Sequence, residues 1–231
     1  MKLQYLGDTH DFLKYYILRQ LSAVTRQIGV IWMLTPDDGS TDGRTKHHIN
    51  KPEKFQSLDP ELYDKLIDIN KGREHLKIGY LDAIGLIPNA RYFDKLVPMP
   101  ADGSREAYWQ QAQSVINGSG LIFLDPDNGM EIPSTSKNSI RSVRYVYFDE
   151  ITRLLDQAPV LIYQHFPRVK RDVYIPNRIN QLKMICGATS VRVIQTGQVG
   201  FFLVDRKKSE HLNLAFTQLG KSLEKLNVKV W

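Results

Sequence analysis

Four apolar residues, Leu121-Ile122-Phe123-Leu124, run without a break into Asp125-Pro126-Asp127-Asn128-Gly129. A half-buried strand alternates apolar and polar residues, so an unbroken run of this length predicts a strand covered on both faces. Residues 160–163 have the same form and lead into Gln164-His165-Phe166-Pro167-Arg168, and residues 29–34 lead into Thr35-Pro36-Asp37-Asp38-Gly39. Helical spacing or helix-start signals mark residues 11–26, 59–69, 73–84, 105–116, 149–157, 177–186 and 209–226. Weaker strands are expected at 90–97 and 144–148. Strands separated by helices need crossover connections, and these give parallel pairing. Residues 191–195 and 200–205, joined by Thr196-Gly197-Gln198, read as a hairpin that places one antiparallel strand at or near an edge. The expected fold is α/β: a single domain over 1–231, a three-layer Rossmann-like sandwich with a mostly parallel sheet and a C-terminal antiparallel strand.

Composition narrows the class of protein. Hydrophobic residues make up 42% and charged residues 24% of the 231 positions, which excludes a disordered chain. No apolar run approaches the roughly 20 residues of a membrane span, and the first eight residues hold no apolar signal core. The single cysteine, Cys186, excludes an internal disulfide and a cysteine-based zinc site. A cytoplasmic protein without a membrane partner is expected, and its oligomeric state is left open. The net charge of +6 favours an anionic partner, nucleic acid included. Arg168, Lys170, Arg171, Arg178 and Lys183 concentrate positive charge, as a phosphate-binding surface or as a solvated face.

In an open α/β sheet, ligands bind outside the carboxyl ends of the strands. The residues following each apolar run are therefore the candidates. Asp125 can accept protons or hydrogen bonds, Pro126 fixes the direction of its carbonyl, and Gly129 permits a left-handed turn or the close approach of a ligand. His165 and Arg168 can contact an anionic group; His165 can equally be a partly buried, hydrogen-bonded histidine. Asp125, Asp127 and Glu131, joined by Asp37, Asp38 or Asp42, offer carboxylates for magnesium or manganese, which would make the chain a metal-dependent phosphodiesterase or nuclease.

The segment Gly7-Asp8-Thr9-His10-Asp11-Phe12-Leu13-Lys14-Tyr15 resembles the N-terminal motif of the 23S rRNA adenine-N6 methyltransferases. Asp11 and Lys14 keep its Asp-x-x-Lys spacing, and Gly7 matches its glycine with a one-residue offset. Leu121-Ile122-Phe123-Leu124-Asp125-Pro126 is similar to the fourth-motif strand of that family, and Gly200-Phe201-Phe202-Leu203-Val204 to the last strand of a class I methyltransferase. The chain is also similar, more closely, to a group of bacterial and phage proteins sharing Gly-Asp-x-x-Asp-Phe-x-Lys-Tyr, Leu-Asp-Pro-Asp-Asn-Gly and Tyr-x-His-Phe-Pro-Arg. That second match carries no activity with it.

The first resemblance implies S-adenosylmethionine as cofactor and transfer of its methyl group to nucleic acid, at an exocyclic amine. It implies that Asp11, Lys14, Asp37, Asp38 and Gly39 border the cofactor. Asp125, Pro126 and Asn128 would form the catalytic element, and His165, Phe166 and Arg168 would contact substrate. Asp127 and Asn128 stand where the family has a second proline and an aromatic residue, so Phe166, near another strand end, is the candidate stacking platform. A binding module that keeps the fold without catalysis is the remaining alternative.

Overall fold

The computed structural model describes residues 7, 9–36, 51–71, 81–82 and 84–231. Among these, the strands are β1 (Ile28–Ile31), β2 (Ala90–Phe93), β3 (Leu121–Leu124), β4 (Gly129–Met130), β5 (Tyr145–Val146), β6 (Val160–His165), β7 (Ser190–Gln195), β8 (Val199–Asp205) and β9 (Lys229–Val230). The helices are α1 (Thr9–Ser22), the single turn α2 (Pro52–Phe55), α3 (Pro60–Lys71), α4 (Arg105–Val115), α5 (Phe148–Leu155), α6 (Arg171–Cys186) and α7 (Glu210–Ser222). Seven strands form one sheet in the order β2-β1-β3-β6-β8-β7-β9, while β4 and β5 pair apart from it.

The unbroken apolar runs occupy the middle of this sheet. β3 pairs in parallel with β1 on one side and β6 on the other, and β2 extends the parallel half beyond β1. All four β3 residues are buried because helices cover both faces. Strand alternation divides the core in two. Leu121, Phe123, Leu161 and Tyr163 pack with α1, α3 and α7 through residues such as Phe12, Leu66 and Phe216. Ile122, Leu124, Val160 and Ile162 pack with α4, α5 and α6 through Trp109, Ile151 and Leu182.

Local signals set several boundaries as expected. Asp59 Oδ1 accepts the Leu62 amide at 2.9 Å and Pro60 is the first residue of α3, which matches a capped start. Ser104 caps α4 through the Ala107 amide at 3.1 Å. Other boundaries moved. β1 stops at Ile31 because Met33 takes a left-handed conformation, φ 45°, and only an isolated bridge, Leu34 to Leu96, resumes the pairing. α6 begins at Arg171, six residues ahead of the expected start, and carries Pro176 inside it; the proline forgoes one backbone hydrogen bond without ending the helix. Of the helix expected at 73–84, residues 73–80 and 83 lie outside the described residues.

The sheet is more mixed than expected. The hairpin forms, but β8 returns antiparallel between β6 and β7, so β7, not β8, stands farther out. A second antiparallel strand, β9, then pairs with β7 through Ile194 and Gln195. Two residues are too few to show a periodicity, which is why the pattern gave no sign of β9. Among the described residues no helix is long and apolar enough to cross a membrane.

Candidate functional site

The carboxyl ends of β1, β3 and β6 meet α1. Asp11 and Lys14 are three apart on α1 and so share a face. Leu121 and Phe123 point toward α1, and the period of two turns Asp125 the same way. The Lys14 ammonium donates to Asp11 Oδ1 and to Asp125 Oδ2, each at 2.7 Å. Exposure of the three residues is 1%, 3% and 2% for Asp11, Lys14 and Asp125, so this is an ion cluster sealed from water.

Further contacts fix the cluster. Asp11 Oδ2 accepts the Gly7 amide at 2.8 Å and the Tyr15 hydroxyl at 3.3 Å. The Lys14 ammonium also lies over the Tyr163 ring, 4.8 Å from its centroid. Burial pulls the Lys14 pKa down, but Asp11 and Asp125 outweigh it and hold the ammonium above its ordinary value. Asp125 moves up, because burial and then the neighbouring Asp11 carboxylate exceed the pull of Lys14. Burial and Asp11 likewise raise the Tyr15 hydroxyl, which remains a donor.

Next to this cluster, the Thr35 hydroxyl donates to Asp127 Oδ2 at 2.5 Å and ties the end of β1 to the loop after β3. His165 closes β6 on the α1 side, its ring 5.1 Å from Tyr163 and 6.5 Å from His10. The imidazole has an exposed edge, yet desolvation against these rings lowers its pKa to about 4, with help from neighbouring His10 and from the charge of Lys14. It is therefore neutral near pH 7, available as a hydrogen-bonding group rather than as a standing cation.

The opposite side of the same strand ends is neutral. Gln164, 2% exposed, faces away from Lys14. Its Oε1 accepts the Met130 amide at 2.8 Å, and its Nε2 donates to the carbonyls of Asn128 at 2.9 Å and His165 at 2.5 Å. Gly129 has φ +101°, and a Cβ there would lie 2.4 Å from the Gln164 carboxamide. The positive φ is one that L side chains rarely adopt, and the group packed closely against this glycine is a side chain of the protein.

The other candidates separate. Pro126 is buried and Asn128 half-buried, with the Asn128 amide donating to the Arg144 carbonyl at 2.9 Å. Phe166 lies on the far side of the sheet from Asp125. It stacks edge-on to Tyr174 at 5.7 Å, under Arg171 at 4.5 Å, and fills the space a Cβ on Gly200 would need. Arg168 is exposed on the following loop. Asp37, Asp38 and Gly39, with Asp42, lie outside the described residues. Among the described residues no three His, Cys, Asp or Glu side chains are grouped to hold a metal ion, so Asp125, Asp127 and Glu131 form no donor set together. Strand parity commits Asp125 to Lys14, and Glu131 Oε1 accepts the Phe148 amide at 2.7 Å, at the start of α5.

Thr35, Tyr163 and Gln164 were not singled out in the sequence. Gln164 and Tyr163 stood in a recognised strand end, but nothing in their order told which face each would take. No protein-family model, curated protein or solved structure matches the chain, so the function is read from the site itself.

Proposed function

We propose that the chain is an S-adenosylmethionine-dependent methyltransferase acting on nucleic acid, built on a three-layer Rossmann-like sandwich. One observation carries this reading. Asp11-x-x-Lys14 and Asp125-Pro126, the two motifs that resemble the methyltransferases, lie far apart in sequence yet join through one buried ammonium at the carboxyl end of a central strand. The insertion of β8 antiparallel between β6 and β7 fits the resemblance of residues 200–204 to the last strand of that class.

The chemistry of the donor set fits the cofactor. Its amino-acid end carries a carboxylate and an ammonium, and beside the buried Asp11–Lys14–Asp125 cluster the rim offers the imidazole of His165 and the half-buried carboxylate of Asp127. Bound there, S-adenosylmethionine would supply an electrophilic methyl group. Lys14 holds Asp125 in one rotamer, and Asp125, with its raised pKa, is suited to accept a hydrogen from an acceptor amine. Buried Pro126 and the clamped Asn128 carbonyl keep the loop rigid, so that proximity is maintained without reordering. Neutral His165 at the rim can accept a hydrogen bond. Arg168, exposed on the adjoining loop, would meet a phosphate.

Calorimetric titration with S-adenosylmethionine tests the reading. The wild type is expected to bind, and Asp125→Asn, which keeps an acceptor for Lys14, is expected to bind while losing transfer of labelled methyl groups to total RNA or DNA. No binding by the wild type, where a control methyltransferase binds, would overturn the proposal. Unchanged transfer by Asp125→Asn would remove Asp125 from the reaction.

A further inference from the structure

We propose that Gln164 is a positioning residue: its carboxamide sets the conformation of the Asp125–Gly129 loop and couples that loop to His165. The inference rests on the loop's own geometry for the clamp, and on the methyltransferase reading only for what the clamp serves. Three features converge on this one side chain. It uses both ends at once, taking the Met130 amide on Oε1 and giving Nε2 hydrogens to the Asn128 and His165 carbonyls. It occupies the space that any residue other than glycine would need at position 129. It is sealed from water, at 2% exposure, so no solvent molecule stands ready to replace it.

The consequence is a division of labour at one strand end. Asp125 is oriented from the α1 side by Lys14, and the backbone that follows it is oriented from the other side by Gln164. Because Gln164 directly precedes His165, a shift of the loop after β3 is transmitted to the backbone bearing the rim imidazole. The carboxamide is suited to this task because it is donor and acceptor in one planar group. Glutamate has the same shape, but when ionised it sets a carboxylate against two carbonyl oxygens. When protonated it recovers a donor. Gln164→Glu is therefore a clamp that pH can open and close.

The test compares amide-exchange protection factors in the wild type, Gln164→Ala and Gln164→Glu. In Gln164→Ala the Met130 amide is expected to lose protection on the order of tenfold, with the β1 amides unchanged. Gln164→Glu should behave like the alanine variant at pH 8 and regain protection near pH 5, where burial among carbonyls favours the protonated acid. Should the alanine variant not fold, the pH response of the glutamate variant decides alone. Wild-type protection at Met130 in Gln164→Ala, or a glutamate variant indifferent to pH, would overturn the clamp. S-adenosylmethionine affinity, measured on the same samples, is expected to follow the glutamate variant's recovery. If the wild type does not bind the cofactor at all, the methyltransferase reading fails while the clamp is still judged by exchange.

Discussion

On the α1 side of the sheet, the end of β3 buries an ammonium between two carboxylates; on the other side, the end of β6 buries a neutral carboxamide among backbone groups. Both arrangements hold the same short loop, and both exclude water. Their sensitivities differ. A charge stripped of its partner inside a protein keeps its full desolvation cost, whereas a neutral group loses only the hydrogen bonds it made. The comparison assigns the greater destabilisation to the Lys14 side and the finer geometric control to the Gln164 side.

Replacing the charge at the centre should have the largest effect. Lys14→Met removes the buried ammonium that joins Asp11 to Asp125, and should cost about 3–5 kcal/mol in urea unfolding at pH 7. The sign of the pH dependence follows from the raised Lys14 pKa. The stabilisation is fully present below the unfolded value of 10.5 and is lost as pH rises through the higher folded value. The gap between wild type and variant should thus be wide at neutral pH and narrow in strong alkali. A deficit below about 1 kcal/mol would show that the ammonium is not what makes the buried carboxylates tolerable.

The neutral side can be broken at Gly129. Gly129→Ala adds backbone strain at φ +101° and drives a Cβ into the Gln164 carboxamide, for about 2–4 kcal/mol together. In the Gln164→Ala background the collision is gone, so the second cost should fall toward the backbone strain alone. A double-mutant cycle measured by unfolding should give a coupling of about 1 kcal/mol or more. Strict additivity would mean that glycine and glutamine occupy their places independently.

The smallest effect belongs to His165, where the two sides meet at the surface. Its pKa, lowered to about 4, places its contribution to stability above the unfolded value of 6.5, and that contribution is lost as pH falls through about 4. Solvent at the exposed edge of the ring keeps the slope shallow. Proton NMR should show the imidazole titrating below 6.5, and His165→Asn should flatten the stability profile between pH 6.5 and 4. An ordinary titration midpoint would place the ring in open water, away from His10 and Tyr163.

Much of the charged side could be read from the residues. Asp11 and Lys14 share a helix face by spacing alone, and Asp125 follows an apolar run that had to be a covered strand. The neutral side could not be read in this way. Gln164 is an ordinary polar residue at a strand end, and its role depends on which face it takes and on which loop lies opposite. Phe166 shows the same limit from the other direction: it is one strand-end residue beyond His165, and that single step put it on the far side of the sheet, against Gly200.

The sequence by itself determined the covered strands, the capped start of α3 and the hairpin, because these depend on neighbours a few residues away. It also supplied both signs of charge for one strand end. Only the tertiary structure decided that Lys14 reaches Asp125, that Gln164 reaches the Asp125–Gly129 loop, and that β8 stands between β6 and β7. Those pairings depend on strand order and register, which no local run of residues encodes; they are fixed only when every strand finds the neighbour that lets both of its faces be buried.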